Sequence, residues 1–293
     1  LTVYPSNISP FNAKLAAMIR KDNFTLPGAK GRPMLIDVTY DDVFKNAPLV
    51  VFAHGFKGFK DWGTNNLLAQ YFVEKGFRFL KFNFSHNGTT PANPLDFANL
   101  TAFADNTVSI ELEDLDTIID FACSGASIPV ASGVYLIGHS MGGGVSIIKT
   151  AEDARIKKLV SMASISGFRN LWPKQIEQQW RLQGVFYFEN KRTGQQMPVK
   201  STLLDDLDKH PLRLDIIRQA SLVTQPWLIA HGDADPTVPV SHSQQLHDAN
   251  PAAEYIVQKG ADHTFGGEHP FVGDALPASL IEFCDTAISF LSK

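Results

Sequence analysis

Val134-Tyr135-Leu136-Ile137-Gly138-His139-Ser140-Met141-Gly142-Gly143-Gly144 decides how this 293-residue chain is read. β-prone residues run into Gly138, a serine follows with glycines two positions before and after it, and helix-compatible sequence comes next. That is the G-x-S-x-G pattern of a sharp strand-to-helix turn, which leaves a serine hydroxyl exposed. The spacing has a steric cause. A side chain at either flanking position collides with the neighbouring strand or helix, and the serine itself takes a strained backbone. The same five residues also describe an ordinary glycine-rich turn, so the rest of the chain must supply a nucleophile's partners.

Upstream, Phe11 to Arg20 shows weak helical periodicity, and Phe24 to Leu26, the turn Pro27-Gly28 and Met34 to Tyr40 read as an antiparallel strand pair. Pro48 to His54 is a continuous apolar run, suited to a strand buried on both faces. Gly63 to Lys75 reads as a helix, Phe77 to Asn83 as a strand and Phe84 to Leu100 as a polar loop. Asn106 to Cys123 carries Val108, Leu112, Leu115, Ile118 and Ile119 near a 3.6-residue period, hence a helix. Downstream come strands over Lys157–Ala163, Pro226–His231 and Glu254–Val257, with helices over Ser241–Ala249 and Leu276–Leu291.

Strand–helix units after an antiparallel pair predict an α/β fold. The expectation is a mostly parallel sheet of about eight strands, antiparallel at its N-terminal edge, with helices on both faces. Function in such sheets gathers at the carboxyl ends of the strands. One interval breaks the alternation. Residues 167–222 are too long for a crossover and read as a small lid-like insertion, a helix plus a β-hairpin, within a single domain spanning 1–293.

With 44% hydrophobic residues the chain can bury a large core, and a net charge of −4 gives no footprint for nucleic acid. No apolar run is long enough to cross a bilayer, and the first ten residues lack the regions of a secretory signal. The expected location is cytoplasmic, although a chain that starts at Leu1 leaves a removed signal peptide open. Cys123 and Cys284 read as free thiols rather than as a disulfide. No glycine-rich nucleotide loop and no helical zinc pair is present, so neither a cofactor nor a metal is expected. Monomer and homodimer both stay open.

A serine hydroxyl needs a histidine base, and the base needs an orienting carboxylate. Asp233 and Asp235 lie just past the strand ending at His231, and His263 lies in a loop after the last strand. The chain order Ser140, Asp235, His263 is the one found when a G-x-S-x-G elbow works in a doubly wound sheet.

Four motifs carry a family resemblance: His54-Gly55-Phe56-Lys57-Gly58, the serine elbow, His231-Gly232-x-x-Asp235, and Asp262-His263. With these in order the chain resembles the α/β-hydrolases over almost its whole length. Within them it is similar to the carboxylesterase and cinnamoyl (feruloyl) esterase branch, which overlaps serine aminopeptidase-like sequences. The resemblance implies Ser140 as nucleophile, His263 as base and Asp235, rather than Asp233, as its acid. His54, His231 and His139 read as structural. The oxyanion donors implied are the backbone N–H groups of Phe56 and Met141.

Phe168, Trp172, Trp180, Phe186, Tyr187 and Phe188 crowd into the insertion, against an aromatic content of 11% for the whole chain. They suggest apolar walls over the serine, and Trp172, Trp180, Phe186, Tyr187 and Phe188 are candidate substrate contacts. The alternative is that they only glue the insertion to the sheet. The expected reaction is hydrolysis of a small-molecule ester. A peptidase comes second, because Glu177, Glu189, Asp205, Asp206 and Asp208 look solvated rather than set to hold a free amine. A thioesterase or a non-catalytic binding member of the fold comes last.

Overall fold

A computed structural model describes residues 19–44 and 46–293. Strands β1 (Ile19–Pro27) and β2 (Pro33–Asp41) pair antiparallel, with Ile19 opposite Asp41 and Pro27 opposite Pro33. Strand β3 (Leu49–Ala53) is followed by α1 (Asn65–Glu74), β4 (Arg78–Phe82), a short α2 (Leu100–Ala104) and α3 (Val108–Ser124). Then come β5 (Val134–His139), α4 (Met141–Glu152) and β6 (Ile156–Met162). The segment to the next sheet strand holds α5 (Ile176–Gln183), β7 (Val185–Asn190), β8 (Gln195–Lys200), α6 (Thr202–Lys209) and α7 (Ile216–Ala220). The chain closes with β9 (Trp227–Gly232), α8 (Ser241–Ala249), β10 (Glu254–Gln258) and α9 (Ala278–Leu291).

The main sheet has eight strands in the order β1-β2-β4-β3-β5-β6-β9-β10. β1–β2 and β2–β4 are antiparallel and every later pairing is parallel, which is the expected α/β architecture. All five residues of β3 are buried, as its unbroken apolar run requires when helices cover both faces. Period-two alternation divides them. Leu49, Val51 and Ala53 join a core with Leu112, Leu115, Ile118 and Ile119 of α3. Val50 and Phe52 join the opposite core, with Phe72 of α1 and Phe283 and Ala287 of α9.

The expected helix over Phe11–Arg20 falls largely outside the described residues, but Ile19 and Arg20 open β1 and are not helical. The loop expected over Phe84–Leu100 ends in α2, whose Asn99 side chain accepts a hydrogen bond from Ala102 N at 2.9 Å. Five residues are too few to show a helical period. Nor does the sequence pattern announce α6 and α7. α6 buries Leu203, Leu204 and Leu207, but over two turns that pattern is short. Both cysteines are free thiols. Among the described residues, no helix is long and apolar enough to cross a membrane.

Candidate active site

Ser140 sits between β5 and α4 with φ 56° and ψ −119°, the left-handed side of backbone space that a side chain rarely occupies. Its N–H donates to Met162 O of the neighbouring strand at 3.0 Å, which helps hold the strained turn in place. The flanking glycines are explained by contact. A Cβ on Gly138 would lie 2.5 Å from Gly142 O, and one on Gly142 would lie 2.4 Å from the carbonyl oxygens of Ala53 and His54.

Past the end of β9, the side chain of Asp235 is fully buried and its Oδ1 accepts from the N–H groups of Thr237 and Val238 at 2.7 and 2.9 Å. Its Oδ2 lies 2.7 Å from His263 Nδ1 and 3.3 Å from His231 Nε2. Burial by itself would raise the pKa of this carboxyl, but the hydrogen bonds from His231 and His263 outweigh it and hold it well below the usual carboxylate range. An ionised Asp235 fixes the proton of neutral His263 on Nδ1 and leaves Nε2 free to accept one. Asp233 does something else: its Oδ1 accepts from Gly260 N at 2.6 Å and ties two loops together.

Ser140 and His263 line the same cavity of about 150 Å³, without a hydrogen bond between their side chains. Such contacts are often loose before substrate binds. His139 packs beside them with its Nε2 2.9 Å from His263 O, and burial, then the nearby His263, push its pKa down to about 3. His54 and His231 serve backbone geometry. His54 Nδ1 bonds Gly55 O at 2.9 Å, and His231 Nε2 bonds Val238 O at 2.8 Å.

The loop after β3 brings Phe56 beside the elbow. A Cβ on its neighbour Gly55 would lie 2.9 Å from Ser140 Cβ. Among the described residues neither Phe56 N–H nor Met141 N–H donates to a loop or turn carbonyl, and Met141 stands at the N-terminus of α4, where such donors are free. A feature invisible to motif reading pins this loop. Lys60 Nζ lies 2.8 Å and Lys81 Nζ 2.6 Å from Asp37 Oδ2, and both lysines also pair with Asp61. Lys60 N donates to Asn83 Oδ1 at 2.6 Å. Lys81 is fully buried, and a lysine inside the otherwise apolar Phe79–Phe82 was the available signal.

The candidate aromatics do not form one surface. Trp172 and Phe188 line a second cavity of about 30 Å³, with Phe56, Phe103, Val108, Met141, Phe168 and Leu203. Trp180 is fully buried and donates from Nε1 to Val199 O at 2.7 Å; its ring packs against Trp172, Phe186 and Phe188. Tyr187 points the other way and is 55% exposed. Phe188 also meets Phe56, with ring centroids 5.9 Å apart, and Lys57 Nζ donates to Glu189 O at 3.0 Å.

Comparison with known proteins agrees with this architecture. Residues 50–273 match the family model described as Alpha/beta hydrolase family. The Bacillus subtilis (strain 168) protein named "Putative esterase YitV" is 25% identical over 254 residues, covering 84% of this chain and 93% of that one. Among solved structures, ferulic acid-bound Est1E from Butyrivibrio proteoclasticus superposes with a TM-score of 0.66 at 18% identity, covering 92% of this chain and 98% of that one. A puromycin-hydrolyzing peptidase of Mycobacterium tuberculosis gives a TM-score of 0.64 at 19% identity, covering 92% of this chain but 38% of its own. At those identities the two structures speak for the fold alone.

Proposed function

The chain belongs to the alpha/beta hydrolase family, and on that premise we propose that it is a serine hydrolase cleaving small carboxylic esters. The observation that carries this reading is the 2.7 Å bond between buried Asp235 and His263, in a cavity shared with the strained Ser140.

Ser140 Oγ attacks the ester carbonyl carbon while His263 Nε2 takes its proton. The negative charge that forms on the carbonyl oxygen is met by the N–H groups of Phe56 and Met141, each worth about 10²–10³ in rate in comparable sites. The tetrahedral species collapses, the C–O bond to the alcohol breaks, and His263 returns the proton to the departing oxygen. Water, deprotonated by His263, then releases the acid and restores Ser140. Asp235 stays ionised and steadies the imidazolium. No step requires a metal or cofactor.

Residues 167–222 act as the lid in this reading. Phe188 and Lys57 link the hairpin to the oxyanion loop. An aminopeptidase needs a buried, free carboxylate for the substrate's amine, whereas four of the insertion's acids are engaged elsewhere and the fifth, Glu189, is exposed. Glu177 binds Arg169 and Trp172, Asp205 binds Arg181, Asp208 binds Arg169 and Arg181, and Asp206 binds Ser109. Ester cleavage is therefore favoured over peptide cleavage.

The test is Ser140→Ala with p-nitrophenyl acetate. Hydrolysis should fall to background while circular dichroism and melting stay as in the parent. Turnover retained in the variant would remove Ser140 from the mechanism.

A further inference from the structure

Two cavities near the elbow differ fivefold in volume, about 150 against 30 Å³, and Phe56 lines both. The larger one is lined by Ser140, His263 and Thr264, with Phe52, Leu68 and Leu280 among its apolar walls. The smaller one touches Met141 and Phe56 but neither Ser140 nor His263.

Chemistry assigns the two. The departing alcohol must collect its proton from His263, so it lies on the side that His263 lines. The acyl chain must run from a carbon whose oxygen faces Phe56 and Met141, away from the base. Volume then sets the sizes. A cavity of about 150 Å³ accepts a benzene ring, whereas one of about 30 Å³ has room for only about two or three waters, or a short chain. The small chamber cannot grow easily, because Phe103, Val108 and Phe168 are core residues and Trp172 and Phe188 are braced by Trp180.

We propose that the larger cavity is the alcohol subsite and takes a ring-sized apolar leaving group, while the smaller one limits the acyl part to a short chain. The substrates are thus short-chain acyl esters, acetate-like, of aromatic or similarly bulky alcohols. This rests on the acyl-enzyme reading above. Aromatic crowding in the insertion does not reveal this assignment, since such walls suit an acyl or an aryl group alike.

An isomeric pair tests the assignment. Benzyl acetate carries its ring on the alcohol and methyl phenylacetate on the acid, with the same atoms and leaving alkoxides of ordinary basicity. The wild-type protein should cleave benzyl acetate with a kcat/KM at least tenfold higher. Leu68→Trp, which fills the larger cavity, should lower kcat/KM for benzyl acetate at least tenfold more than for ethyl acetate. Leu280→Phe is the second such variant if the first does not fold. Equal rates, a preference for methyl phenylacetate, or cleavage of neither while p-nitrophenyl acetate is turned over would overturn the assignment and leave the hydrolase standing. Failure to cleave p-nitrophenyl acetate would instead fall on the proposed function.

Discussion

His139 Nε2 lies 2.9 Å from the backbone oxygen of His263, so the residue before the candidate nucleophile holds the backbone of the candidate base. A carbonyl can only accept, which puts the proton of neutral His139 on Nε2. His139 is thus a positioning residue. His139→Leu should lower kcat about tenfold with KM nearly unchanged, since misplacement of the base affects the reacting geometry rather than substrate affinity. His139→Gln, which can still donate, should recover most of the loss. Steady-state kinetics of the two variants decides it; equal losses in both would mean that His139 matters only for packing.

Phe56 and Met141 contribute main-chain donors in the proposed mechanism, so their side chains are dispensable for the chemistry itself. Phe56→Ala and Met141→Ala should each keep kcat/KM for p-nitrophenyl acetate within about tenfold of the parent, a far smaller loss than removing an oxyanion donor or the nucleophile. Some cost is expected for Phe56, whose ring packs on Phe103 and Phe188. Losses in both variants as deep as that of Ser140→Ala would exclude the backbone assignment.

Glu111 makes stability depend on pH. Burial pushes its carboxyl up to about 8 from an ordinary 4.5, against the hydrogen bond from Asn106, with nearby Asp114 adding to the rise. Between those values the folded protein keeps a proton that the unfolded chain has released. Stability from this group is therefore full below pH 4.5, falls as pH rises, and stops falling above about 8. Glu111→Gln is neutral throughout and can still accept from Asn106. Melting curves at pH 5 and pH 8 should show a smaller drop in Tm for the variant than for the parent; an equal drop would exclude Glu111 as its source.

The parts of the fold that sequence revealed are those set by local pattern. β3, β5 and β9 announce themselves because strands covered on both faces need unbroken apolar runs, and the elbow because a crowded turn demands its glycines. The square of Lys60, Lys81, Asp37 and Asp61 was not legible, since it joins β2, β4 and the loop after β3 across 44 positions of chain. The insertion lies between. Its aromatic composition was plain, but only side-chain direction separates Phe188, against Phe56, from Tyr187, in solvent. Alternation along β7 contained that distinction, because neighbours on a strand face opposite ways. Composition also says nothing about how rings fill space. Trp172, Trp180, Phe186 and Phe188 pack largely on one another, and so leave only a small cavity beside Trp172 and Phe188.

The most direct measurement is covalent. A fluorophosphonate reacts with a serine only when a base has made its oxygen nucleophilic, and the adduct mimics the tetrahedral intermediate. Peptide mass spectrometry of the treated protein should find one equivalent of label on the peptide containing Ser140, and none after Asp235→Asn under the same brief exposure. A protein that hydrolyses esters while its Ser140 peptide stays unlabelled, or that carries the label on another residue, would contradict the account.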